Sequence, residues 1–165
     1  AIVSGGFLMP EIEAGTTRLI SALRQKGWAV AVDPGWPPDG WTREKRGLAL
    51  EWLAEADIAL INAEEARGIA GEDNLDAALA LLRPPASRTL AVKCGTDGAR
   101  VLSGAEGFSV AAPKVEVIDT VGAGDTFNAA FLAALADGRD ARRAGERGVR
   151  AASRAISTFP RRYDG

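Results

Sequence analysis

The stretch Val117-Ile118-Asp119-Thr120-Val121-Gly122-Ala123-Gly124-Asp125-Thr126-Phe127-Asn128, VIDTVGAGDTFN, decides how the rest of the chain is read. It runs an apolar segment, read as a strand, into two glycines and places a carboxylate directly after them. Phe127, Ala130, Phe131, Ala134 and Leu135 then repeat at helical spacing. Glycines let backbone N–H groups approach a ligand, and the first turn of a helix leaves several donors unpaired. With the helix dipole they form an anion site suited to a phosphate. Asp125 is a poor group for binding such an anion, because like charges repel. It is a sensible base for taking a hydroxyl proton while the backbone stabilises charge on a transferring phosphoryl group. The competing reading makes Asp125 a plain helix cap, and the local pattern leaves both open. A dinucleotide fingerprint is rejected: Phe127 stands at the third glycine position, and no strand ending in an acid follows.

Upstream of this stretch, apolar strands alternate with amphipathic helices. AIVSGGF (1–7) reads as a strand, 11–26 as a helix ended by Gly27, and WAVAVD (28–33) as a buried parallel strand. PGWPPDGW (34–41) is a loop, and Thr42 caps the next helix. DIALIN (57–62) is a third strand, followed by helical stretches near 63–70 and 73–83. RTLAVKCG (88–95), GARVLSG (98–104) and GFSVAAP (107–113) are short strands joined by glycine turns. KVEVID (114–119) leads into the glycine motif, and a last helix runs from about Asp140 to Thr158. Successive βα units joined to hairpins predict an α/β three-layer sandwich with a mixed, mostly parallel sheet. Ligands in such sheets bind beyond the carboxyl ends of strands.

The bulk numbers exclude several classes of function. The 165 residues suit one domain. Lys plus Arg is 20 and Asp plus Glu is 22, a formal charge of −2 with no basic footprint for nucleic acid or an anionic membrane. No apolar run is long enough to span a bilayer. AIVSGGFLMPE lacks the basic flank and apolar core of a signal peptide. The chain begins with Ala1 inside a predicted strand, which leaves open a true start elsewhere. The single cysteine, Cys94, fits a reducing cytoplasm, and its expected role is that of a small buried hydrophobe. Histidine is absent, so acid–base chemistry falls to carboxylates or lysines.

Two further constellations carry chemistry beside a structural alternative. Asn62 and Glu65, at the end of the third strand, share a face as a helix begins. They suit magnesium held through water, or simply a cap with acids in the first turn. Lys93-Cys94-Gly95-Thr96-Asp97-Gly98 is a turn between strands. It also offers backbone donors, Thr96 and Lys93 to a nucleotide.

Together DTVGAGDTFNAAF, NAEEA and KCGTDGA resemble the ribokinase-like (PfkB) family of carbohydrate kinases, over essentially the whole chain but only the C-terminal half or somewhat more of a typical member. The resemblance implies the family sandwich without its N-terminal strands and lid, and transfer of the ATP γ-phosphoryl group to a sugar hydroxyl. It implies Asp125 as base and Gly122, Ala123 and Gly124 as anion hole. Asn62 and Glu65 would serve Mg2+, and Lys93, Gly95, Thr96, Asp97, Gly98 and Asn128 the nucleotide. Asp119 and Val121 fall where many members bind a monovalent cation such as K+. Arg150 stands where a small or amide residue usually faces adenine. DPGWPP replaces a DPN-x-R-like segment, and TFPRR (158–162) replaces a glycine-bearing turn. The partner implied is a sugar or sugar-like molecule, with neither nucleic acid nor membrane. Any homodimer would form through the missing lid, and the alternative function is a nucleotide-binding module without turnover.

Overall fold

A computed structural model of the chain describes residues 1–163. The elements follow in the order β1 (Ile2–Ser4), α1 (Pro10–Gln25), β2 (Ala31–Asp33), α2 (Arg43–Glu55), β3 (Ile58–Asn62), α3 (Ala63–Ala70), α4 (Leu75–Leu81), β4 (Thr89–Lys93), β5 (Ala99–Ser103), β6 (Glu106–Val110), α5 (Ala123–Ala136) and α6 (Ala141–Ile156). The strands lie side by side in chain order in one six-stranded sheet. β1, β2 and β3 run parallel, with Val3 beside Val32 and Val32 beside Ala59. The two residues between β5 and β6 are too few for a crossover, so that pair is antiparallel and the sheet is mixed. The chain divides into two compact units, one of Ala1–Val92 with Ser103–Ala105, the other of Lys93–Leu102 with the residues from Glu106 onward.

In the first unit β2, β3 and β4 are apolar without alternation, as suits strands covered on both faces, whereas β1 alternates and leaves Ile2 exposed. Val32, Leu60, Ile61, Leu90 and Val92 are all buried, as are Ile20 of α1, Trp52 of α2 and Ile69 of α3. Phe7 packs on Trp52 with ring centroids 4.5 Å apart. A Cβ on Gly6 would meet the Trp52 ring at 2.9 Å, so this position takes no side chain without movement. Thr42 accepts from the Lys45 N–H and caps α2 as its sequence position predicts.

The second unit is held by α5 against α6. Phe127 and Phe131, one turn apart, stack with centroids at 5.7 Å. Gly148 of α6 lies where a Cβ would stand 2.7 Å from the Phe127 ring, which lets the two helices approach closely. Asp140 accepts from the Arg143 N–H and caps α6.

Three expectations need correction. The predicted strand over 1–7 stops at Ser4, because Gly5 turns left-handed at φ 69°. The strand predicted for 28–33 begins only at Ala31. Trp28 N instead donates back to Leu23 O, extending the close of α1. KVEVID (114–119) forms no strand. The Ile118 and Asp119 amides donate to Ile156 O at the end of α6, at 2.8 and 3.3 Å, rather than to a ladder. Val117 and Ile118 are 51% and 57% exposed. Among the described residues no helix is long and apolar enough to cross a membrane.

Candidate active site

The helix predicted after the glycines is present. α5 begins at Ala123, and its N-cap is Gly122, in the left-handed region at φ 73°. No side chain caps this end. The cap reading of Asp125 therefore fails: it sits two residues inside the helix with an exposed side chain. Thr126 Oγ1 donates to Gly122 O at 2.9 Å, tightening the turn from within.

A second positive feature meets this helix end. Lys93, the last residue of β4, donates from Nζ to the buried Asn128 Oδ1 at 3.1 Å. The same Nζ lies 3.7 Å from where a Cβ on Gly124 would stand. An ammonium group, the N-terminus of a helix and a glycine without a side chain thus meet at one spot, where the Ala123 N–H is already donated to Thr120 O at 3.1 Å. Positive features of this kind suit an anion.

Beside it lies a cavity of about 270 Å3, lined by Lys93, Gly95, Thr96, Gly98, Thr120, Ala123 and Gly124, with an apolar wall of Ala112, Val117, Phe127, Val149, Ala152 and Ile156, and Ser153. The turn after β4 is a short 3-10 segment over Gly95–Asp97, closed by Cys94 N donating to Gly98 O at 2.8 Å. Gly98 holds φ 90°, and a Cβ there would fall 1.9 Å from Val110 O, so only glycine fits. Cys94 is half-buried rather than fully enclosed. Asp97 belongs to the turn but does not line the cavity.

Asp125 faces another cavity, of about 530 Å3, with Thr126, Ala129, Ala130, Arg147, Ala151 and Tyr163. Arg147 is tied to Asp137 by a 2.8 Å ion pair. The start of α5 therefore lies between the hollow lined by Lys93 and a separate space open to the Asp125 carboxylate.

Other predicted residues are placed differently. Arg150 is exposed and lines a groove with Val110, Ala111, Pro113 and Glu146; Ala112 and Val149 border both this groove and the Lys93 cavity, but Arg150 does not line the cavity. The α6 residues that do face that cavity are Val149, Ala152, Ser153 and Ile156. Their spacing is one helical stripe, a signal present in the sequence and missed there. Asn62 and Glu65 form a reciprocal capping box. Glu65 N donates to Asn62 Oδ1 at 2.8 Å, and Asn62 N donates to Glu65 Oε2 at 2.7 Å.

As for metals, no group of three or more Cys, Asp or Glu side chains that could hold an ion occurs among the described residues. Mg2+ is ordinarily held by one or two protein oxygens with substrate phosphates and water rather than by an all-protein cage. K+ does not fit at Asp119 and Val121. Arg161 Nη2 pairs with Asp119 Oδ2 while its Nη1 donates to Val121 O. Asp119 Oδ1 accepts from Val121 N at 2.9 Å. The Val121 N–H first, and then the Arg161 guanidinium, hold the Asp119 carboxyl below the ordinary carboxylate range.

Comparison with known proteins identifies the family and the fold. The model of the pfkB family carbohydrate kinases matches residues 1–160. The 2-dehydro-3-deoxygluconokinase of Escherichia coli K12 is 29% identical over 93% of this chain and 52% of its own length. Among solved structures, a probable sugar kinase from Rhizobium etli superposes with a TM-score of 0.80 at 27% identity, over 97% of this chain and 49% of its own. A putative ribokinase II from Escherichia coli, solved in complex with ATP and Mg2+, superposes at 0.81 over 95% of this chain and 52% of its own; at 23% identity it shows a shared fold. The chain spans about half, or less, of the curated relatives it matches. With its mixed six-stranded α/β fold and a family match over nearly its full length, the chain belongs to the pfkB family of carbohydrate kinases.

Proposed function

We propose that this chain carries the nucleotide-binding and base-bearing portion of an ATP-dependent kinase acting on a hydroxyl of a sugar or sugar-like molecule. The single observation that carries the reading is the convergence of Lys93 Nζ on Gly124, one residue before an exposed Asp125. In this reading the cavity beside Gly98 and Val149 takes the nucleotide. The first amides of α5 and Lys93 hold its terminal phosphates.

The acceptor hydroxyl lies on the Asp125 side. Its oxygen attacks the γ-phosphorus as its proton passes to the Asp125 carboxylate, and the bond from that phosphorus to the β-phosphate oxygen breaks to release ADP. Gly122, Ala123 and Gly124 stabilise the charge on the moving phosphoryl group, and catalysis rests on positioning and electrostatics. Bound Mg2+ supplies charge neutralisation on the phosphates. Asn62 and Glu65, already joined in their capping box, are offered to that ion only through water. Gly95, Thr96 and Gly98 give the nucleotide its other polar contacts, and Asp97 shapes their turn. Arg150 has a place near the nucleotide only if it swings from its groove. An ATP-consuming reaction of this kind is expected in the cytoplasm, and a homodimer would have to form through parts outside this chain.

The test is transfer of labelled γ-phosphate from ATP by the full-length protein across a panel of sugars, sugar acids and nucleosides. A labelled acceptor supports the proposal. Absence of transfer to any acceptor by a protein that binds ATP contradicts it. The shared length of only about half the curated relatives favours a second reading, a module that binds ATP without turnover. The chain of residues 1–165 binding ATP but phosphorylating nothing, while the longer protein turns over, would assign that role to the isolated chain.

A further inference from the structure

Arg161 reaches back 42 residues to the turn that precedes α5. Its guanidinium forks: Nη2 pairs with Asp119 Oδ2, and Nη1 donates to the carbonyl of Val121. Asp119 uses its other oxygen to accept the Val121 N–H at 2.9 Å, so the carboxylate, the carbonyl and the guanidinium form a closed ring. Gly122 follows at once, and a Cβ there would stand 3.5 Å from Arg161 Nη1. The neighbours of this ring, Thr120 and Ala123, line the cavity that also holds Lys93 and Gly124.

Two features distinguish this ring from an ordinary surface ion pair. An exposed pair contributes little to stability, but a planar fork across a carboxylate and a carbonyl fixes geometry as well as charge. The place is also unusual for a cation. Positive charge at a helix N-terminus opposes the helix dipole and is disfavoured there in isolation. It becomes favourable once an anion is seated on the same amides, so the arrangement has its energetic benefit with phosphate bound.

We infer that Arg161 is the resident cation of the Asp119–Val121 turn, taking the oxygens a monovalent metal ion would use, so that nucleotide binding at the start of α5 is independent of K+. The inference rests on the nucleotide reading of that cavity. Arg161 is a positioning residue in it: it sets the turn that aims the α5 amides.

The test compares the full-length protein with Arg161→Ala and Arg161→Lys in potassium chloride and in tetramethylammonium chloride at equal ionic strength. ATP affinity and melting temperature are both read. For the unaltered protein, ATP affinity is expected to agree within about twofold between the salts, well under the ~1.4 kcal/mol of a tenfold change. Arg161→Ala should lose about tenfold in affinity in tetramethylammonium and recover it in potassium, which enters the vacated oxygens. Arg161→Lys keeps the charge without the fork, and should fall between the two while remaining indifferent to potassium. Three results would each overturn the inference: potassium strengthening ATP binding by the unaltered protein, Arg161→Ala binding as well as the parent in tetramethylammonium, or Arg161→Ala equally weak in both salts. If no form binds ATP, the nucleotide reading fails by itself. The melting temperatures still decide the cation question, because potassium should then raise that of Arg161→Ala alone. A potassium-induced rise in the unaltered protein, or none in Arg161→Ala, counts against it.

Discussion

Lys93 donates to Asn128 Oδ1 across 3.1 Å, which ties the end of β4 to the second turn of α5 and holds an ammonium group over Gly124. A lysine on a flexible stem would otherwise spread over many rotamers. Here a buried amide selects one, and the charge is in place before any anion arrives. Replacing it with Lys93→Met keeps the stem and removes the charge. ATP affinity is expected to fall by about tenfold or more, as suits a charge-assisted hydrogen bond of ~1.5–3 kcal/mol. Isothermal titration against ATP, with circular dichroism to verify the fold, checks this.

Gly124→Ala separates stability from function. The added methyl would stand 3.7 Å from Lys93 Nζ, an ordinary contact, and alanine is the better helix former by up to about 1 kcal/mol. The melting temperature should hold or rise while ATP binding weakens, because the methyl occupies the space where a phosphate meets the helix amides. Loss of both together would show that the glycine serves packing alone.

Gly98→Ala should damage both. The new Cβ would fall 1.9 Å from Val110 O, against backbone that cannot yield as a side chain would, at φ 90°. The strain and overpacking should cost about 1–3 kcal/mol or more. Chemical denaturation measures the loss, and the turn carrying Thr96 should lose its nucleotide contacts with it.

The lowered Asp119 group gives a pH signature. A carboxyl depressed in the folded state contributes stability that is fully present above its ordinary value, 3.8, and is lost only as pH falls through its depressed folded value. The melting-temperature difference between the parent and Asp119→Asn should therefore stay level from neutral pH down to the ordinary carboxylate range, and close only below it. Lys45 behaves oppositely. The Glu13 carboxylate that accepts its hydrogen bond raises its pKa, so that contribution is present below 10.5 and fades as pH climbs through the raised value.

Much of this was legible in the sequence where the signals are local. The glycine pair predicts the start of α5, Asp140 predicts the start of α6, and the Asn62 cap offered beside the magnesium reading is present, with Glu65 completing it as a capping box. Local patterns fail where the decision is tertiary. KVEVID has the alternation of a strand, yet the amides of Ile118 and Asp119 are claimed by Ile156 O, and no periodicity in 114–119 reveals that. Arg161 shares no local motif with Asp119, and a contact across 42 residues leaves no mark in either segment. Arg150 and Val149 differ by one helical position, about 100° of rotation: Val149 borders both the cavity and the outer groove, whereas Arg150 reaches the groove but not the cavity. The stripe of Val149, Ala152, Ser153 and Ile156 carried the correct phase.

The central claim is that Asp125 takes the acceptor's proton while others hold the phosphate. Its most direct test is Asp125→Asn in the full-length protein, with phosphoryl transfer and ATP affinity measured on the same preparation. The amide keeps the shape and cannot accept the proton, so turnover should fall by about 10²–10⁴-fold, the usual contribution of a general base, with ATP affinity unchanged or slightly improved. Turnover at the parent's rate, or loss of turnover only in step with loss of ATP binding, would contradict the account.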